Sequence, residues 1–319
     1  MFVRRDIPWS WTFYYAWPSL LYFAVVSTAV YALRRTFDST DLEIPLEPVL
    51  ILGTALSIFL GFKNNEAYSR WWEARSIWGL GVNYSRAWAR QVLTLLAADP
   101  SEREELQAMR RRLIRRHIAF MHALRVFLRT TESFPLEDTG EEPGGDGHNY
   151  EECKKFISAE DFQAMRRSDN PPDALLQMQG REVREARDRN WLSDYLLVHL
   201  DQTLVELNHV QGRSERIKKT PLPRPYSYFT RVFVRIHGTL LPFAIGAAFG
   251  WTMIPLSITV SFVFLSLDLI GSRTEDPFEN RVDDVPLSAL TRTIERNLEQ
   301  VLGEEPLPPV IQPKQGVIY

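Results

Sequence analysis

The chain has 319 residues, a length that allows one large domain or two of ordinary size. Its 37 Lys and Arg residues nearly balance 40 Asp and Glu residues, so the formal net charge is -3. Such a balance creates no overall positive field, and nucleic acid is therefore excluded as an expected partner. The single cysteine, Cys153, precludes an intrachain disulfide.

Apolar residues are concentrated in four windows, two near each end of the chain: residues 17–33, 48–62, 232–249 and 254–270. A helix needs about 20 mostly apolar residues to span a bilayer, with roughly 17 as the lower limit. The first and fourth windows meet this limit. The second is short and the third contains Arg235 and His237, so these two are expected to face protein or water rather than lipid. The pattern favours four transmembrane helices over the alternative, a soluble helical protein.

The charges next to these windows predict the orientation in the membrane. Acidic residues dominate between the first two windows, whereas Lys and Arg dominate after the second, and such an excess marks the cytoplasmic side. Both termini are then cytoplasmic, and the expected location is the cell (inner) membrane. The predicted segments are residues 1–62 with transmembrane helices 1 and 2, a cytosolic helical region at 63–227, transmembrane helices 3 and 4 at 228–272, and a cytosolic C-terminal segment at 273–319.

The remaining segments also have helical patterns. Apolar residues recur close to every 3.6 positions in 104–129 and in 191–210, which predicts two amphipathic helices and an all-α fold. The proline-rich tail that begins at Glu304 is expected to be extended. The six histidines are scattered, and the chain has no glycine-rich phosphate loop, nucleophile elbow or metal-ligand spacing. The sequence therefore predicts neither an enzyme nor a cofactor.

Residues 48–75 carry the most informative pattern, because the apolar window becomes charged after Phe62 while large side chains still recur at helical intervals. One helix is therefore expected to leave the membrane and continue into a water-facing region. Thr54, Ile58 and Phe62 form one stripe on it, with about 6 Å of rise between neighbours, and the flanking Gly53 and Gly61 permit close approach of another helix. If several copies surround an axis, the stripe makes stacked apolar rings that gate by dewetting. On the spacing alone, ordinary packing between helices is the favoured explanation of this stripe.

Motifs along nearly the whole chain resemble the bestrophin family, in its bacterial branch. They follow in the family's order and are Gly61-Phe62-Lys63-Asn64-Asn65, Arg70-Trp71-Trp72-Glu73-Ala74-Arg75, Glu215-Arg216-Ile217, Thr220-Pro221-Leu222-Pro223, Glu275-Asp276-Pro277-Phe278 and Asp283-Asp284-Val285-Pro286-Leu287. This resemblance implies an integral membrane protein with four transmembrane helices per subunit and a large cytosolic helical region. It also implies a homopentamer around a central pore.

The resemblance implies three sets of site residues. Thr54, Ile58 and Phe62 would occupy the hydrophobic neck of the pore, where Thr54 replaces the usual apolar side chain and makes the outer end wetter. Leu192, Asp194 and Tyr195 would lie at a cytosolic aperture, with Tyr195 forming the ring. Asp276, Asp283 and Asp284 form a candidate calcium-binding or structural acidic cluster. Arg281 and Val282 interrupt the acidic run of animal relatives, which favours capping and salt bridging over calcium.

The expected function is passive conduction of small monovalent inorganic ions, with chloride and other anions first. Selectivity for monovalent cations remains open, because the predicted lining beyond the neck mixes both signs of charge: Lys63, Glu66, Arg70 and Asp194. The expected partners are other copies of the chain, membrane lipid and the permeating ions. A membrane-anchored scaffold or signalling protein also fits the composition and the predicted topology.

Overall fold

The computed structural model describes residues 1, 3, 9–37, 43–130 and 149–319, with residues 9–13 and 247 described by their backbone alone. The described residues are mainly helical, and their one bridge, between Lys314 and Val317, forms no strand. The helices are α1 (Trp9–Phe37), α2 (Leu46–Leu95), α3 (Arg103–Thr130), α4 (Ala159–Arg166), α5 (Pro171–Asp188), α6 (Asp194–Lys219), α7 (Arg224–Phe249), α8 (Met253–Thr274) and α9 (Leu287–Val301).

Helix α2 runs without interruption for 50 residues, which corresponds to about 75 Å. Its only proline, Pro48, lies in the first turn, where a missing N–H costs no hydrogen bond. The prediction that one helix continues past the apolar window is therefore confirmed.

The helices predicted in 104–129 and 191–210 are confirmed as α3 and α6. Helix α6 begins three residues later than predicted because the Ser193 side chain caps it, accepting from the Leu196 N–H at 3.3 Å.

The chain divides into two compact units. The smaller unit comprises Arg4–Trp71 and Pro221–Asp276, and the larger unit comprises Met1–Val3, Trp72–Thr220 and Pro277–Tyr319. In the smaller unit α1, α7, α8 and the first part of α2 pack around two apolar clusters. The first contains the buried residues Val30, Val49, Leu241, Ile245 and Met253, and the second contains Leu56, Leu60 and Val234.

Three helical segments of the described chain are long and apolar enough to cross a membrane: Tyr14–Thr36, Leu46–Leu95 and Gly250–Thr274. They correspond to three of the four predicted spans. Helix α7, the fourth, is not among them, and its sequence contains Arg231 and Arg235. Apolar helices of membrane-spanning length are thus present, while the count of four spans stays a prediction.

In the larger unit α3 is the central helix. Almost every residue from Leu113 to Leu128 is buried, so the helix is covered on all sides, including its charged residues. Arg116 forms an ion pair with Asp161 at 2.9 Å and a second one with Glu182. The imidazole of His117 contacts the Ser85 hydroxyl at 2.8 Å, and burial lowers its pKa to about 3, so this histidine is neutral at physiological pH.

The end of the chain packs against its own unit. The Val3 N–H donates to the Gly316 carbonyl at 2.9 Å, and the Ala289 N–H donates to the Tyr319 carbonyl at 2.7 Å. The Glu304 carboxylate, where the tail begins, accepts from Arg115 at 2.9 Å. The tail that the sequence predicts as simply extended is therefore fixed at both of its ends by hydrogen bonds to the same chain.

Candidate functional site

The stripe predicted on α2 is exposed in the structure. Ile58 is 57% exposed and Phe62 is 67% exposed, and Thr54 is exposed between them and the start of the helix. The Thr54 hydroxyl donates to the Leu50 carbonyl at 2.9 Å, so its lone pairs remain available to water. No residue of the described chain covers this stripe, which leaves it free to face an axis, lipid or another copy.

The opposite face of α2 is packed inside the smaller unit. Leu56, Leu60 and Ala67 are buried on this face. Near its outer end Gly53 lies under the ring of His237, whose Nε2 would be only 2.9 Å from a Cβ at position 53. The close approach predicted at Gly53 is present. At Gly61 no atom of the described chain lies within 4 Å of a would-be Cβ, so close approach by a helix of another copy stays a prediction there.

A buried ion pair fixes α2 to α8 directly beside Phe62. The Lys63 ammonium donates to the Asp268 carboxylate at 2.7 Å and to the Ser272 hydroxyl at 2.8 Å. A Cβ at Gly271 would clash with the Asn64 side-chain oxygen, so a larger residue at position 271 would force the Asn64 side chain to move. The contacts of Lys63 and Asn64 thereby set the rotation of α2 about its own axis at the position of Phe62.

The structure corrects two of the charges predicted to line the passage beyond the neck. Lys63 is buried and paired, and the guanidinium of Arg70 lies 3.9 Å from the carboxylate of Asp276, with both side chains largely covered. Glu66 and Asp194 are exposed. Sequence reasoning missed the pair of Lys63 and Asp268 as a site, although a lysine directly after one apolar window and an aspartate inside another were the available signal.

The residues predicted at the aperture lie around the start of α6. Tyr195 is 73% exposed, and its ring meets the His199 ring edge-on at 4.9 Å between centroids. Asp194 accepts from Arg187 at 2.8 Å, and this hydrogen bond lowers the pKa of the Asp194 carboxyl. Leu192 lies just before Ser193, the residue that caps the start of α6, and its side chain is buried. This side chain is therefore not available to line a passage.

The three aspartates of the predicted acidic cluster have structural contacts. Asp276 faces Arg70, and Asp284 is buried with its carboxylate accepting from the Arg281 N–H at 3.0 Å. Burial raises the pKa of Asp284 to about 7. Within the described part of the chain, no three or more His, Cys, Asp or Glu residues are grouped to hold a metal ion. The contacts of Asp276 and Asp284 are of the structural kind, and both interpretations of the cluster of Asp276, Asp283 and Asp284 stay predictions.

Comparison with known proteins establishes the family. Residues 12–300 match the model of the bacterial/fungal bestrophin proteins, and the chain belongs to this family. It is 32% identical to the voltage-dependent anion channel-forming protein YneE of Escherichia coli K12, over 90% of this chain and 86% of that protein. It is 31% identical to the voltage-dependent anion channel-forming protein mll4386 of Mesorhizobium japonicum, over 91% of this chain and 85% of that protein.

Solved structures agree with this assignment. The crystal structure of a bacterial bestrophin homologue from Klebsiella pneumoniae matches with a TM-score of 0.78 and 30% sequence identity. The match covers 90% of this chain and 98% of the homologue. The chain is therefore an all-helical membrane protein with the bestrophin fold.

Proposed function

We propose that copies of this chain assemble around a central axis in the membrane and form a bestrophin-type anion channel, not an enzyme. The observation that carries the proposal is the asymmetry of α2: Ile58 and Phe62 are exposed while the opposite face is packed and fixed by Lys63. The described residues of a single chain give the apolar stripe no partner. The relatives are named voltage-dependent anion channel-forming proteins. These names support a channel function and an anion as the permeating ion.

In the proposed channel Thr54, Ile58 and Phe62 from each copy form stacked rings that narrow the pore. Apolar rings of this kind resist ions because water leaves a narrow apolar passage and the ion loses its hydration. The hydroxyl of Thr54 keeps the outer ring wetter than an apolar residue would, because its oxygen lone pairs can still accept from water. The resistance of the pore to ion passage is then highest at the rings of Ile58 and Phe62.

The charges near this stripe favour neither cations nor anions at the neck itself. The ammonium of Lys63 is neutralised by Asp268, so the position after Phe62 carries no free charge. At the proposed aperture the charge of Asp194 is offset by Arg187, while the exposed phenol of Tyr195 can donate a hydrogen bond to a passing anion. This arrangement supports anion passage through a ring of Tyr195 side chains.

The finer arrangement is also proposed. Five copies surround the pore, α1, α2, α7 and α8 of each copy span the inner membrane, and both termini lie in the cytoplasm. The excess of Lys and Arg after residue 62 supports this orientation. Residues 63–227 and 273–319 then form the cytosolic part, and residues 1–62 and 228–272 the membrane part.

Flux and selectivity measurements on the purified full-length protein test the proposal. Liposomes that contain the protein should release chloride, and currents in planar bilayers under a KCl gradient should reverse near the chloride equilibrium potential. Absence of flux through correctly folded protein would favour the scaffold function, and reversal near the potassium equilibrium potential would identify a cation channel. Val263→Ala is a matched control, because Val263 is an exposed apolar residue on α8 and lies outside the proposed neck.

A further inference from the structure

A cavity of about 640 Å³, broadly open to the surface, lies between α2 and α9 in the larger unit, and none of its lining residues belongs to the proposed neck or aperture. Arg75, Ser76, Gly79 and Asn83 line it from α2, and Leu290 lines it from α9. We propose that this cavity binds a small organic anion whose carboxylate or phosphate group is held by Arg75. The proposal does not depend on ion conduction, since binding is measured on the purified protein without flux.

Arg75 is available for a ligand. No Asp or Glu lines the cavity, and in the part of the chain that the structure describes Arg75 forms no ion pair. Its guanidinium lies 3.4 Å from the point where a Cβ would be at Gly79, so the absence of a side chain there makes room for it. A planar guanidinium presents a fork of N–H donors that matches a carboxylate or a phosphate.

The neighbouring polar groups add donors. Ser76 follows Arg75 on α2, and Asn83 lies about two turns further along, so a hydroxyl and an amide border the same space. Neither side chain is engaged by another residue of the described chain. An anion held by Arg75 can therefore receive further hydrogen bonds. A cation would be repelled by the positive charge of the guanidinium, which no acidic residue of the cavity lining neutralises.

The other lining groups are apolar, which decides the class of ligand. Leu80, Val82 and Leu290 border the cavity, and the hydroxyl of Thr293 already donates to the Ala289 carbonyl at 2.8 Å. Pockets for small molecules typically have volumes of about 300–1,000 Å³ and combine apolar walls with a few polar groups. The combination at this site suits a ligand with one anionic group and a compact apolar body rather than a bare inorganic ion.

Benzoate and its neutral analogue benzamide are suitable probes. Titrations of the purified full-length protein, followed by saturation-transfer NMR and by the thermal midpoint of unfolding, should show saturable binding of benzoate and at least tenfold weaker binding of benzamide. Arg75→Gln should weaken benzoate binding by about 10- to 100-fold, the range expected for losing charged hydrogen bonds. Arg75→Lys should bind with intermediate affinity, because it keeps the charge and loses the fork.

Arg90→Gln is the matched control, because Arg90 is an exposed arginine on the same helix and lines the neighbouring cavity. It should bind benzoate like the unmodified protein. Equal binding to Arg75→Gln and Arg90→Gln, equal binding of benzoate and benzamide, or no saturable binding of benzoate would each overturn the proposal. Covering of the cavity by a second copy would also overturn it, and would appear as failure of a maleimide to label Ser76→Cys in the folded assembly.

Discussion

Replacing Lys63 with methionine should destabilise the protein strongly because it leaves the charge of Asp268 buried without a partner. The side chains of Lys63 and Asp268 are 2% and 8% exposed, and their charged atoms are 2.7 Å apart. Removing one member of such a pair costs about 3–5 kcal/mol, whereas replacing both members with apolar residues of similar size is often nearly neutral. Lys63→Met and Asp268→Leu should each lower stability by an amount in this range, and the double variant should recover most of it.

The measurement is a double-mutant cycle on unfolding of the purified protein in detergent, followed by tryptophan fluorescence. An interaction free energy of at least about 2 kcal/mol between the two positions is expected, because each single variant isolates the other charge. The exposed pair of Arg216 and Glu73 is the matched control, for which about 1 kcal/mol or less is expected. Simple additivity at positions 63 and 268 would refute the reasoning, since it would mean that the two charges do not depend on each other.

Three further predictions concern the neck, the aperture and the larger unit. Ile58→Ala and Phe62→Ala should each raise single-channel conductance relative to Val263→Ala, and unchanged currents in both would place the constriction elsewhere. Tyr195→Glu should reduce anion preference or change rectification, and unaltered reversal potentials would remove Tyr195 from the ion pathway. Burial raises the pKa of Asp284 to about 7 from 3.8, so the native protein keeps a proton that the unfolded chain releases. Stability should therefore be greatest below the ordinary pKa and fall by roughly 2–4 kcal/mol as the pH rises to 7, a fall that Asp284→Asn should remove. Identical pH dependence in both proteins would contradict this.

The main features of the fold and of α2 follow from periodic patterns within the sequence. Large side chains at helical spacing beyond Phe62 predicted that α2 continues past its apolar window, and the structure has one helix from Leu46 to Leu95. The same spacing predicted the stripe of Thr54, Ile58 and Phe62, and these residues do share an exposed face. Local periodicity is sufficient for such features because they depend only on the rise and turn of one helix.

Features that join distant segments were not predictable in this way. Lys63 and Asp268 are 205 positions apart, and no local pattern pairs one with the other. The resemblance to the family implied that Leu192 lies at the aperture, but this residue precedes the start of α6 at Asp194 and its side chain is buried. Tertiary packing decided both outcomes, because it determines which side chains are covered and which buried charges find a partner.

The orientation of Ile58 and Phe62 in the assembled protein is the most direct test of the proposed pore. An electron cryomicroscopy reconstruction of the purified assembly in lipid nanodiscs should resolve several copies around one axis, with both side chains pointing at that axis and enclosing its narrowest point. A reconstruction in which these side chains face lipid, or in which the copies share no axis, would contradict the account.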